Sequence, residues 1–206
     1  MKDRLAAKFI VLDGPDGCGK STQAKLLAEW LGEKGVKTLA LRDPGASAIG
    51  EKIRQILLNP EHIAMSVRTE LLLYMAARAQ LWEEKISPAL EGGKCVVLDR
   101  WLSSTCAYQG YAGGFGIENV IKVAESCLER VWPNLTVLLD IEDETAAKRL
   151  DRDLDRMEQK GQEYHKKVRQ GFLRLAKHYS NIVIVDGTED IEKVHKRVVR
   201  VLQELL

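Results

Sequence analysis

Gly14-Pro15-Asp16-Gly17-Cys18-Gly19-Lys20-Ser21 is the stretch on which the fold turns. It fits G-x-x-x-x-G-K-[ST] and stands between an apolar run, Lys8 to Asp13, and an amphipathic helical pattern from Ser21 to Lys34. In that context glycines let successive backbone N–H groups converge on phosphate oxygens. The helix that follows adds the positive end of its dipole. The expected phosphate-binding set is Gly14, Pro15, Asp16, Gly17, Cys18, Gly19, Lys20, Ser21 and Thr22. Lys20 is placed to reach the β- and γ-phosphates of a nucleoside triphosphate, and the Ser21 hydroxyl to ligate Mg²⁺.

Outward from this loop, short β-branched runs alternate with longer helical patterns. Val36 to Arg42, Cys95 to Asp99, Leu135 to Asp140 and Asn181 to Asp186 read as further strands. Helices are expected over Ala48 to Leu58, Val67 to Leu90, Gly116 to Arg130, Glu144 to Tyr179 and Ile191 to Leu205. The strands are near-continuously apolar, as in a parallel sheet covered on both faces. The expectation is an α/β three-layer sandwich: a five-stranded parallel sheet flanked by helices, forming one domain over residues 1–206 with no linker or repeat. Several strands end in charge, at Asp13, Arg42, Asp99-Arg100, Asp140 and Asp186. Ligands of open α/β sheets sit in the crevice at those carboxyl ends.

Composition bounds the function. The chain is 45% hydrophobic and 30% charged, enough to build a core and too apolar for disorder. Thirty-one Lys and Arg against thirty Asp and Glu leave a net charge of +1. That gives no field for coating a nucleic acid or an anionic membrane. Cys18, Cys95, Cys106 and Cys127 have no metal-ligand spacing and read as reduced, mostly core residues. No run is long enough to span a bilayer and no leader is evident, so a cytoplasmic protein is expected.

The glycine-rich loop alone does not choose among kinases, GTPases and motor ATPases. A guanine-reading N-K-x-D is absent after the fourth strand, where the chain reads Leu138-Leu139-Asp140-Ile141-Glu142, and the chain is short for an oligomeric motor. A small-molecule kinase remains, and it needs a second anionic site. Three segments offer one. They are Arg42-Asp43-Pro44-Gly45, the pair Tyr74 and Arg78 one helical turn apart, and Asp99-Arg100-Trp101-Leu102-Ser103-Ser104-Thr105-Cys106-Ala107-Tyr108-Gln109-Gly110. By themselves Tyr74 reads as core, Arg78 as a solvated helix residue and Asp99-Arg100 as a strand-end ion pair.

Together with the loop, these segments and Leu154-Asp155-Arg156-Met157-Glu158 resemble the bacterial thymidylate kinases over nearly the whole chain. The resemblance implies transfer of the ATP γ-phosphoryl group to dTMP, with Mg²⁺, by a homodimeric enzyme. It implies an acceptor site of Asp16, Asp43, Tyr74, Arg78, Arg100, Ser104, Thr105, Tyr108 and Gln109. In that site Tyr74 stacks on thymine, Arg78 bonds the base, Thr105 meets its polar edge and Tyr108 packs under the sugar. Arg100 grips the acceptor phosphate, Asp16 meets the sugar 3′-hydroxyl, and Asp16 and Asp99 join Ser21 in ordering the metal. Lys20, Arg100 and Asp16 are the expected catalytic groups.

Arg149, Arg152 and Arg156 recur at i, i+3 and i+7, one stripe of a helix. By the same resemblance they are catalytic arginines on a lid over about 144–160, a role Cys18 leaves open because the loop itself carries no arginine. Two positions depart from the family. Asp43-Pro44-Gly45-Ala46-Ser47 stands where Glu-Pro-Gly-Gly-Thr is usual, and Tyr74 where Phe is usual. The rivals are a kinase for another nucleoside monophosphate and a non-catalytic ATP-binding module.

Overall fold

The apolar run before the glycine-rich loop is a strand covered on both faces. In the computed structural model, which describes residues 2–149 and 153–206, it is β1 (Phe9–Asp13). Phe9 and Val11 turn to one core cluster, Ile10 and Leu12 to another, and all four are fully buried. This is the period-two alternation of a pleated strand with apolar partners on either side. The other strands are β2 (Thr38–Arg42), β3 (Cys95–Asp99), β4 (Leu135–Asp140) and β5 (Ile182–Asp186). The sheet is entirely parallel, in the order β2-β3-β1-β4-β5. β1, β3 and β4 are buried nearly throughout. The edge strands β2 and β5, each with one neighbour, are partly exposed, so covering on both faces holds only for the three inner strands.

A short helix α1 (Lys2–Leu5) precedes β1. Leu27 and Leu31 of α2 (Lys20–Glu33) join Val198 and Leu202 of α10 (Ile191–Leu205) in the layer below Ile10 and Leu12. The opposite layer is built on α4 (Val67–Leu81), α7 (Ile117–Cys127) and α9 (Gln162–His178). There Phe9, Trp82 and Trp101 form an aromatic cluster, with Phe9 edge-on to Trp101 at 5.2 Å. α3 (Ala48–Leu58) packs beside α4 and is capped by Ser47, whose hydroxyl accepts from Gly50 N at 3.0 Å.

Three helical stretches differ from the expectation. The run from Val67 continues to α5 (Ser87–Glu91) through a π-helical turn, Trp82–Ile86, in which Ser87 N donates to Trp82 O. The wide turn makes room for Pro88, whose ring would clash with the preceding carbonyl in a regular helix. Leu102–Thr105 form α6, which passes into a second π-helical stretch, Cys106–Ala112; the sequence patterns did not single out this helix. The continuous helix expected from Glu144 to Tyr179 is instead α8 (Asp143–Lys148), a 3₁₀ turn (Glu158–Lys160) and α9. Asp155 Oδ1 accepts from Met157 N at 2.8 Å and Glu158 N at 3.0 Å, a local turn that competes with the helical ladder. Arg149 and Arg156 therefore do not share a helical stripe, and Arg152 lies outside the described residues. Among the described residues no helix is long and apolar enough to cross a membrane.

Candidate active site

A cleft of about 1250 Å³ opens at the carboxyl ends of the strands. It exceeds the range of about 300–1,000 Å³ usual for one small ligand. One end is the glycine-rich loop. Gly17 has φ +77°, and a Cβ there would lie 2.4 Å from Ala146 O, so the loop runs directly under α8. Lys20 opens α2, and its buried ammonium donates to Pro15 O at 2.6 Å. Lys20, Ser21 and Thr22 line the cleft with Asp16 to Gly19, while Gly14 and Pro15 contribute backbone behind it. The Ser21 hydroxyl donates to Asp99 Oδ2 at 2.5 Å, and Asp99 Oδ1 is buried with no partner among the described residues.

The last residue of β1 joins this loop to the next one. Fully buried Asp13 accepts from Gly14 N (2.9 Å), Ser103 Oγ (2.5 Å), Ser104 N (3.0 Å) and Ser104 Oγ (2.6 Å). Ser104 Oγ in turn accepts from Arg100 Nη1 at 2.9 Å, and the same nitrogen donates to Gly14 O at 3.1 Å. Ser104 thus lies behind Arg100 as well as beside the cleft.

Arg100 occupies the centre. Its backbone is left-handed at φ +69°, a conformation that costs a non-glycine residue on the order of 1–2 kcal/mol. The turn brings Nη2 onto Asp16 Oδ1 and stacks the guanidinium over the Tyr108 ring, 5.4 Å from its centroid. Tyr108 Oη donates to Asp16 Oδ2 at 2.6 Å. Burial alone would raise the Asp16 carboxyl, but Arg100, Lys20 and the Tyr108 hydroxyl outweigh it and bring it down to about 2. Burial, followed by the Asp16 charge, pushes the Tyr108 phenol up, so it remains a donor.

At the far end Tyr74, Arg78, Asp43, Thr105 and Gln109 line the cleft together. Arg78, 1% exposed, donates from Nε and Nη2 to Asp43 Oδ2 at 2.8 and 2.6 Å. Nη2 also reaches Thr105 Oγ1 at 3.0 Å, and the guanidinium lies 5.1 Å from the Trp101 ring centroid. Arg78 is thus a buried, fixed donor and not a solvated helix arginine. The aspartate at 43 suffices to hold it. Burial, with Glu70 next, raises the Tyr74 phenol.

The expected lid arginines are dispersed. Arg149 donates from Nη1 to Gly187 O (2.9 Å) and from Nη2 to Thr188 O (3.1 Å), at the glycine-rich-loop end of the cleft. Arg156 does not line the cleft: it is 4% exposed, donates from Nε to Leu57 O at 2.6 Å and pairs through Nη1 with Glu70 Oε2 at 2.6 Å. The catalytic lid position expected of Arg156 is corrected by this burial outside the cleft.

Sequence reasoning missed Glu70 and Arg54, and it gave no site role to Asp155, Met157 and Glu158, which line the cleft. Glu70, Tyr74 and Arg78 recur at i, i+4 and i+8 on α4, so the stripe already in view contained the signal for Glu70. Arg54 lines the cleft and donates to Pro44 O at 3.1 Å. Burial and then the neighbouring Arg42 push it down from the usual arginine value. Of the cysteines, Cys18, Cys95 and Cys106 are buried and Cys127 is exposed.

Known proteins resemble this chain in sequence and fold. A family model described as thymidylate kinase matches residues 12–198. A thymidylate kinase of Caldanaerobacter subterraneus subsp. tengcongensis is 47% identical over 204 residues, 98% of each chain. One of Clostridium novyi is 40% identical over 195 residues, 92% of this chain and 95% of the other. The crystal structure of thymidylate kinase from Ehrlichia chaffeensis superposes with a TM-score of 0.79 at 30% identity, covering 96% of this chain and 99% of that one. Matches of this extent reach both the phosphate loop and the arginine-lined second site, and the chain belongs to the thymidylate kinase family.

Proposed function

We propose that this chain transfers the γ-phosphoryl group of ATP to a phosphate oxygen of dTMP, giving dTDP and ADP. The observation that carries the reading is the single cleft linking the Lys20 loop to the Tyr74–Arg78 end, with Arg100 between them. An acceptor phosphate monoester is anionic near neutral pH, its second pKa being about 6, so no general base is needed. The chain's task is to position two polyanions and neutralise them.

Lys20 turns from Pro15 O to the β- and γ-phosphates, and the loop N–H groups cradle them. Arg100, held by Ser104 and Asp16, meets the acceptor phosphate, and Arg54 adds a second positive charge on that side. Asp16 receives the sugar hydroxyl while Tyr108 fills the space beneath the ring. Tyr74 stacks on the base and Arg78 donates to its carbonyl. Arg149, on the lid taken as about residues 144–160, lies at the glycine-rich-loop end of the cleft, where it would cover the donor phosphates.

The residues fit Mg²⁺. Ser21 turns its proton to Asp99 and leaves its lone pairs free, and Asp99 keeps one orphaned carboxylate oxygen. Among the described residues no cluster of three or more His, Cys, Asp or Glu forms a complete cage. That suits an ion that arrives with phosphate oxygens and keeps its waters. Ser21 and Asp99 would hold the ion, which would supply charge neutralisation to the donor phosphates.

A cytoplasmic homodimer completes the proposal. Leu71, Met75, Ala77 and Leu81 of α4 are core residues, whereas Leu72 of α4 and Ile49 and Ile56 of α3 are exposed. Sedimentation of the purified chain at micromolar concentration tests the dimer. ADP release with ATP, Mg²⁺ and a panel of nucleoside monophosphates tests the activity. Fastest turnover is expected on dTMP, and turnover no faster than on dAMP or dGMP would refute the assignment.

A further inference from the structure

Glu70 is fully buried and lies behind the cleft without lining it. Its Oε1 accepts from Gln109 Nε2 at 2.7 Å and Lys160 Nζ at 3.1 Å. Its Oε2 takes Arg156 Nη1 at 2.6 Å and Lys160 Nζ at 2.9 Å. A carboxylate offers only lone pairs, so Gln109 must turn its NH₂ group toward Glu70. The amide oxygen is then the group Gln109 offers to the cleft it lines.

Beside it, Arg78 has spent Nε and Nη2 on Asp43 and Thr105. Among the described residues Nη1 has only the Met75 sulfur, at 3.6 Å. This end of the cleft therefore presents a donor next to an acceptor. Thymine and uracil offer the complement, a ring carbonyl beside an N–H. Cytosine offers an amino group beside a bare ring nitrogen and meets two mismatches.

We propose that Glu70 is a positioning residue for base selection: by fixing the Gln109 amide it makes the acceptor site read a carbonyl next to an N–H. Arg156 and Lys160 secure the carboxylate from the other side, so the C-terminal end of the lid segment is tied to the same reading. The inference rests on the acceptor site proposed above.

The test is a double-mutant cycle in kcat/KM for dTMP and dCMP, using the full chain with ATP and Mg²⁺. Glu70→Gln and Gln109→Met should each lower the dTMP/dCMP ratio about tenfold, through KM for dTMP, with KM for ATP unchanged. Combined, they should lower it no further than Gln109→Met alone. A purely structural role for Glu70 would slow both substrates equally and leave the ratio intact, which overturns the proposal. A further drop in the double variant would also overturn it. Should Glu70→Gln not fold, Glu70→Gln with Arg156→Met, which removes the cation left without its counter-ion, is read in the same way. An unaltered protein that fails to phosphorylate dTMP would overturn the functional reading and this proposal together. One that prefers dTMP, with variants that keep the preference, would overturn this proposal alone.

Discussion

Asp16→Asn removes one charge and little shape, and its cost can be worked from the site. The carboxyl lies between Arg100 and Tyr108 and is lowered from 3.8 to about 2. At ~1.36 kcal/mol per unit, the depression corresponds to about 2 kcal/mol of folding stability. The sign follows from proton uptake. Above about pH 4 the group is ionised in both states and the contribution is whole. Between about pH 4 and pH 2 the unfolded chain binds a proton that the folded chain refuses, and the contribution disappears. Ligand-free Asp16→Asn should thus be about 2 kcal/mol less stable than the unaltered protein at pH 7, about 4–8 °C in Tm for a chain of this size. The gap should close as pH falls below 4. Urea unfolding of both proteins at pH 7, 5, 4 and 3 reads this directly. A gap that stays constant down to pH 3, or none at pH 7, refutes the charge cluster as a source of stability.

Other perturbations separate the parts of the site. Lys20→Ala should cut turnover by roughly a hundredfold or more, with the circular dichroism spectrum unchanged. Arg100→Ala should raise KM for dTMP and lower kcat; near-normal values for both would remove Arg100 from the acceptor site. Arg156→Met breaks a buried ion pair and should cost about 3 kcal/mol by urea denaturation, whereas a solvent-facing lid arginine would cost under about 0.5. Excess EDTA should abolish turnover yet leave the thermal midpoint of the ligand-free chain unmoved, because the cation belongs to the donor complex and not to the fold.

The architecture was legible because each inner strand must be apolar on both faces, and that leaves an unbroken run in the sequence. The glycine-rich loop was equally legible, since its backbone geometry tolerates few residue types. Two kinds of feature escaped. The π-helical stretch carrying Tyr108 and Gln109 has no simple period, so no pattern matched it. The end of α8 escaped because the Arg149–Arg156 spacing suits a helix, while Asp155 and Gly161 favour turns whose outcome depends on tertiary contacts such as Arg156 to Glu70 and Leu57. Glu70 itself was visible as a letter but not as a partner, because its ligands lie 39, 86 and 90 residues away along the chain.

Asp13 has a consequence for the tolerance of the whole enzyme. One carboxylate at the end of the central strand bolts the glycine-rich loop at Gly14 to the segment after β3 at Ser103 and Ser104, so the loop that carries Lys20 and the segment that carries Arg100 share a single anchor. On the proposed reaction, the span between attacking and departing oxygens is then set by the sheet and not by closure. A molecule joining both nucleotides through a tether would therefore meet a fixed gauge, with a sharp optimum in tether length.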